Sequence, residues 1–243
     1  MAHLYYVEPG VTLEAGMPAA LSGDEARHAS SVARLKAGEA IMVGDGRGTI
    51  GRGIAVAVGA GEVVVELQDV NTVPAPSPEI WLVQALAKGD RDELAIQACT
   101  ELGVDRIIPW QAARSVSVWK ADKATKGQTR WNKIVTEASK QSLRARVPQV
   151  SALSTTGDIA QLGEENQLVL LEAQGSDPLS AYIPPKHKNL VLIVGPEGGI
   201  EPSEREVLLD AGAVDLRLGN TVLRTSTAGV AALSVMNSAM GRW

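Results

Sequence analysis

Leu190-Val191-Leu192-Ile193-Val194-Gly195-Pro196-Glu197-Gly198-Gly199 runs up to a helix opening at Pro202-Ser203-Glu204, and a second run of the same design follows. It reads Leu216-Arg217-Leu218-Gly219-Asn220-Thr221-Val222-Leu223-Arg224-Thr225-Ser226-Thr227-Ala228 and passes into an Ala-rich helix. In each, an apolar strand ends in glycine. A buried parallel strand that ends this way lets a ligand lie against bare backbone at the carboxyl edge of a sheet. Two such loops in succession predict a small-molecule site built from the C-terminal third.

What the loops lack narrows the ligand. Neither carries G-x-G-x-x-G nor G-K-[ST], so the dinucleotide and P-loop fingerprints both fail. No Lys or Arg lies between Val194 and Glu204, while Glu197 and Glu201 add negative charge. A polyphosphate would be repelled, whereas a nucleoside bearing a sulfonium would be tolerated. Gly198 is expected to face that ligand, so that a branched side chain there would occupy its space.

Upstream, strands and helices alternate. The pattern predicts strands at Ile80–Leu86, Arg106–Trp110, Leu168–Glu172, Leu190–Val194 and Val214–Leu218. Helices are predicted at Arg91–Leu102 with Asp90 as cap, then at Thr129–Leu143, Ser203–Ala211 and Thr225–Met240. Such alternation argues an α/β layer architecture with a largely parallel sheet. Ala112–Gln128 is too polar to assign. The first seventy or so residues differ, with short segments such as Ala40–Val43 and Val63–Leu67 set between glycine turns, and one helix at Asp24–Leu35. That is the pattern of a small β-barrel. The proline-rich run Asn71–Pro78 reads as an extended linker, which gives domains 1–73 and 74–243.

Composition excludes several classes. The chain has 243 residues, 45% of them apolar. Its longest apolar runs are too short to span a bilayer, and the N-terminus shows no secretory signal, so a cytoplasmic protein is expected. One cysteine, Cys99, and three dispersed histidines give no metal-ligand spacing. The charge is uneven. Residues 1–73 carry five basic and nine acidic groups, 74–150 twelve and eight, and 151–243 six and eleven. The basic excess gathers at Arg114, Lys120, Lys123, Lys126, Arg130, Lys133, Lys140, Arg144 and Arg146. A basic strip in an acidic protein, interleaved with Trp119 and Trp131, predicts a nucleic-acid-facing surface.

G-P-E-G-G followed by L-G-x-x-V-L-R-T-x-T-A resembles the C-terminal half of the SPOUT-class RNA methyltransferases, and within them the RsmE family. Further matching segments are Glu101-Leu102-Gly103-Val104, Arg114-Ser115-Val116, Arg130-Trp131, Glu137-Ala138 and Gln141–Pro148. His28, Val32, Arg34, Lys36, Gly38 and Glu39 match near the N-terminus. Two positions depart: Leu143 stands where many members have Gly, and Ser226 where many have Glu.

This resemblance implies a trefoil-knotted SPOUT domain preceded by a PUA-like β-barrel, working as a homodimer. It implies S-adenosylmethionine-dependent methylation of uridine N3 in 16S ribosomal RNA, with the small ribosomal subunit as partner. The cofactor would meet Leu171, Glu172 and Ala173, the loop Gly195, Pro196, Glu197, Gly198 and Gly199, and the loop Leu218, Gly219, Asn220, Val222, Leu223, Arg224 and Thr225. Arg144 and Arg224 are the candidate catalytic cations, aimed at charge on the uracil oxygens. Arg224 could instead tie down the knot loop, and Glu197 reads better as a helix cap than as a proton acceptor. Arg34, Arg114, Lys123, Lys126, Arg130, Arg144 and Arg146 are the candidate RNA contacts. A ribose-directed SPOUT enzyme acting on transfer RNA, or a non-catalytic RNA-binding protein, are the alternatives. The Gln141–Pro148 segment argues against the first and the paired ligand loops against the second.

Overall fold

The computed structural model describes residues 3–243 and divides into two compact units. The first comprises residues up to Ala75 together with Glu137–Val147, and the second Pro76–Thr136 with Pro148–Trp243.

In the first unit, strands β1 (Leu4–Tyr6), β2 (Pro18–Ser22), β3 (Ala40–Gly44), β4 (Thr49–Val58) and β5 (Glu62–Thr72) form one sheet in the order β1-β3-β4-β5-β2. Only β1 and β3 run parallel; the other pairs are antiparallel. Val63, Val65 and Leu67 alternate inward along β5 and pack with Tyr5, Leu21, Ile41 and Val43, the period-2 burial expected of a sheet with one wet face. Register shifts in the β4–β5 ladder bend the sheet. Among the described residues β1 and β2 do not pair, and the five strands form one curled sheet, the small all-β unit expected. The single helix expected at Asp24–Leu35 is interrupted. A short helix α1 (Gly23–Arg27) passes into a π-turn at His28–Val32, and Arg34 then takes φ 56°. Ser30, Ser31 and β-branched Val32 hold a helix poorly.

Glu137–Val147 packs with this unit through several ties. Buried Lys140 pairs with Glu25 at 2.7 Å and Glu137 at 2.8 Å. The Tyr6 hydroxyl donates to the Arg144 carbonyl at 2.7 Å. The Arg146 guanidinium donates to the Val73 carbonyl at 3.1 and 2.8 Å. Gly48, at φ +126°, is required here, because a Cβ would strike the Arg146 guanidinium and lie 2.7 Å from the Val73 oxygen.

The second unit holds seven parallel strands. They are β6 (Ile80–Ala85), β7 (Arg106–Trp110), β8 (Gln149–Val150), β9 (Gln167–Leu171), β10 (Asp177–Pro178), β11 (Leu190–Val194) and β12 (Val214–Arg217). Their order is β10-β12-β9-β11-β6-β7-β8. The helices are α2 (Arg91–Glu101), α3 (Asp122–Gln141, whose last part belongs to the first unit), α4 (Thr156–Gln161), α5 (Pro202–Asp210) and α6 (Thr225–Ala239). Val83, Trp110, Leu168, Val191 and Ile193 face Ile159 of α4 and Leu208 of α5. Leu82 and Val194 face α6, which comes so close that a Cβ on Gly229 would lie 3.0 Å from Leu82 and 3.5 Å from Cys99. Gly229 and buried Ala232 of α6 thus serve packing within this unit. Cys99 is buried there, and burial pushes its thiol up to about 12.

Two local expectations are corrected. Asp90 does not cap α2: it has φ 60° and no capping bond. Asp92 orders this entry instead, accepting from Ala87 N–H at 3.0 Å and Glu93 N–H at 2.8 Å. Helix α3 begins at Asp122 rather than Thr129, because its first two turns are Lys-rich and solvated, and its apolar spacing starts only near Trp131. Among the described residues, no helix is long and apolar enough to cross a membrane.

Candidate functional site

Three loops at the carboxyl edge of the parallel sheet enclose a cavity of about 460 Å³, within the range of small-molecule pockets. After β9, Leu171, Glu172 and Ala173 form one wall. After β11, Gly195, Pro196, Glu197, Gly199 and Ile200 form the second. After β12, Leu218, Gly219, Thr221, Val222, Leu223, Arg224 and Thr225 form the third. The two strand-to-glycine runs therefore meet in one place.

The walls are tied together. Thr225 Oγ1 donates to the Gly195 carbonyl at 2.9 Å and accepts from the buried Gln84 Nε2 at 2.8 Å. Thr225 is a structural tie between two loops, which its place in a ligand motif did not reveal. The β9 loop is held to β12 by Glu172 N–H on the Leu216 carbonyl at 3.0 Å. Arg217 also donates to the carbonyls of Gly175 and Ser176, at 2.9 and 2.7 Å.

Two expected contacts fall outside the pocket. Asn220 is exposed and does not line it. Gly198 does not line it either: a Cβ there would lie 3.3 Å from the Arg114 Cβ. The glycines that do open onto the cavity are Gly199, at φ +74°, and Gly219, neither with anything within 4 Å of a Cβ position. The lining also includes Arg91, Val194, Ile200, Thr221 and Ala228. Of these, Arg91 carries the most chemistry, and no motif pointed to it.

Charge in the pocket is mostly committed. Glu197 does not cap α5, whose N-cap is Glu201. Its carboxylate accepts from Lys88 N–H at 3.1 Å and from Arg91 at 2.9 Å. Burial works against its charge, but bonds from its own N–H, from Lys88 and from Arg91 outweigh this and hold its pKa below the ordinary value. Glu172 shifts the opposite way, raised by burial and by neighbouring Asp215, with Arg205 opposing. Arg224 stands at the N-cap of α6, exposed, and its side chain makes no hydrogen bond or ion pair among the described residues.

The basic strip is divided. Lys123 and Lys126 on α3 are exposed and without ion pairs among the described residues. Arg130 pairs with Glu93 and lies 3.7 Å from Asp90. Arg114 pairs with Glu201 at 2.6 Å. Arg144, Arg146 and exposed Arg34 belong to the first unit, whereas Arg224 belongs to the second. Trp131 is only 1% exposed and meets Trp119 edge to face at 5.2 Å, so it serves the core and offers no stacking platform. Among the described residues no group of three or more His, Cys, Asp or Glu could hold a metal.

A glycine-opened pocket at the carboxyl edge of a parallel sheet defines a class when set against known families. Residues 74–237 match the RNA methyltransferase domain, and residues 21–68 the RNA methyltransferase PUA domain. Over 249 aligned residues the chain is 39% identical to the ribosomal RNA small subunit methyltransferase E of Mycobacterium bovis, covering 100% of this chain and 94% of that one. The protein of the same name from Bacillus subtilis is 32% identical, with 89% and 88% covered. Two crystal structures superpose with a TM-score of 0.87 and cover 98% of both chains. One is the methyltransferase E of Neisseria gonorrhoeae bound to S-adenosylmethionine, 28% identical; the other is a putative methyltransferase of Legionella pneumophila with the same bound cofactor, 29% identical. The chain belongs to the ribosomal RNA small subunit methyltransferase E family, RsmE.

Proposed function

We propose that the protein methylates small-subunit (16S) ribosomal RNA with S-adenosylmethionine, at N3 of a uridine. The observation that carries this reading is the pocket itself. Its size, its glycine-opened walls and the Glu172 and Glu197 carboxyl groups on its lining suit a nucleoside that bears a positive sulfonium. Leu171, Glu172 and Ala173 form a wall beside the two glycine loops, whose backbone groups at Gly195, Gly199, Leu218 and Leu223 would hold the adenosine. When bound, S-adenosylmethionine supplies an activated methyl group for in-line displacement by nitrogen, a reaction that depends chiefly on alignment.

Uridine N3 is protonated at neutral pH, and losing that proton spreads negative charge onto the ring carbonyl oxygens. A cationic donor already fixed near those oxygens stabilises the charged form. Arg224 suits the role, since it borders the pocket and its guanidinium is not engaged elsewhere among the described residues. Arg144, in the first unit, is a second candidate contributor. Arg34, Lys123 and Lys126 are exposed and suited to phosphate contacts. A homodimer acting on the small subunit in the cytoplasm completes the reading. The half-buried Val230, Ala231 and Val235 along α6 suit a helix contact with a second copy.

Calorimetric titration with S-adenosylmethionine tests the pocket. The parent protein should bind, and Gly219→Val, which places a branched side chain on an exposed glycine of the lining, should lose at least roughly tenfold in affinity. Equal affinity in the two proteins would contradict the assignment.

A further inference from the structure

The loop Gly195–Glu201 faces two ways. Glu197 and Gly199 border the cavity, and Gly198 between them turns its Cα toward Arg114, with a Cβ position 3.3 Å from the Arg114 Cβ. Arg114 grips this loop from outside at two points. Its Nε donates to Glu201 at 2.6 Å, and its Nη1 donates to the Gly198 carbonyl at 3.3 Å. Glu201 makes no side-chain cap for α5, because its carboxylate is spent on Arg114.

The arginine in turn stands on a fixed base. Ala113 N–H donates to Glu204 on α5 at 3.0 Å, and the same carboxylate oxygen accepts from Thr156 at 2.6 Å. Gln111 clamps the segment at both ends, donating to the Ser117 carbonyl at 3.2 Å and accepting from Trp119 N–H at 3.0 Å. Gln111–Trp119 is therefore a folded strap, although its polarity hides this in the sequence.

We propose that Arg114 is a positioning residue for the cofactor loop: it pins Gly198 and Glu201 from the side opposite the ligand and so pre-forms the wall made by Gly195–Ile200. This rests on the reading that the pocket takes S-adenosylmethionine, and it departs from the expectation that Arg114 contacts RNA. With its side chain 44% exposed, the Arg114–Glu201 pair adds little to global stability. Its effect appears instead as ordering that the ligand need not impose on binding.

The test measures S-adenosylmethionine affinity by calorimetry and amide hydrogen exchange of the ligand-free loop, in the parent, Arg114→Ala, Glu201→Gln and the double variant. Each single change should weaken cofactor binding roughly 3- to 10-fold, and the double variant should be no worse than Arg114→Ala alone, because that change already removes the Glu201 contact together with the Gly198 one. Amides of Gly198–Ile200 should exchange faster while melting temperature stays near that of the parent. The salt slope of RNA binding should not change in Arg114→Ala. Unchanged affinity and unchanged exchange in that variant would overturn the proposal, as would a slope lowered by about one, the sign of a phosphate contact. If the parent itself fails to bind S-adenosylmethionine, the functional reading fails, and the exchange measurement still decides whether Arg114 pins the loop.

Discussion

Arg224 and Glu197 occupy the same pocket and differ in how far their neighbours along the chain reveal their work. Glu197 stands just before a helix, which suggested capping, yet its partners are Lys88 and Arg91, more than a hundred residues away. Thr225 likewise is bound to Gln84 and Gly195 across the sheet. Contacts of this kind have no local signature. The glycines were legible as a group, since strand ends that bare their backbone need them. Which glycine faces the ligand was not, because Gly198 and Gly199 are adjacent and point to different neighbours. For Arg224, the absence of a side-chain partner among the described residues allows a clear expectation. Arg224→Lys keeps the charge but loses the planar fork of donors. Turnover on ribosomal RNA should fall roughly 10²- to 10³-fold, as for one lost oxyanion donor, while cofactor affinity and melting temperature stay near those of the parent. Loss of both together would assign the arginine to the scaffold instead.

At the scale of elements, the strands of the second unit were readable because burial on both faces makes them continuous apolar runs. Helix α3 was readable only in part. Its opening turns bury little, and its exit bends through Leu143 at φ 56°, a left-handed position that glycine takes freely and leucine does not. Leu143, where the resemblance expects glycine, thus stands at a backbone position that favours glycine. The exposed face of α3 also sorts the basic strip. Lys123 and Lys126 are unpaired among the described residues, whereas Lys140 is buried between two glutamates and Arg130 is held by Glu93. Replacing Lys123 and Lys126 by Ala should therefore lower the slope of log RNA affinity against log salt by about two, one for each lost phosphate contact. Cofactor affinity should be untouched. A slope equal to the parent's would mean that this face of α3 does not meet RNA.

At the scale of the whole molecule, the change from short strands between glycine turns to alternating strands and helices marked two parts, and the structure has two compact units. The return of Glu137–Val147 to the first unit could not be read from composition. It depends on Lys140 meeting Glu25 and on Arg146 meeting the Val73 carbonyl, pairings between distant stretches of chain. The curled sheet, the parallel sheet and the glycine-lined pocket all agree with the RsmE family, and the central claim is chemical. Purified protein incubated with isotopically methyl-labelled S-adenosylmethionine and small-subunit ribosomal RNA tests it most directly, with mass spectrometry locating the label. The account predicts one labelled methyl group on N3 of a uridine base. Label on a ribose, or none transferred, would contradict it.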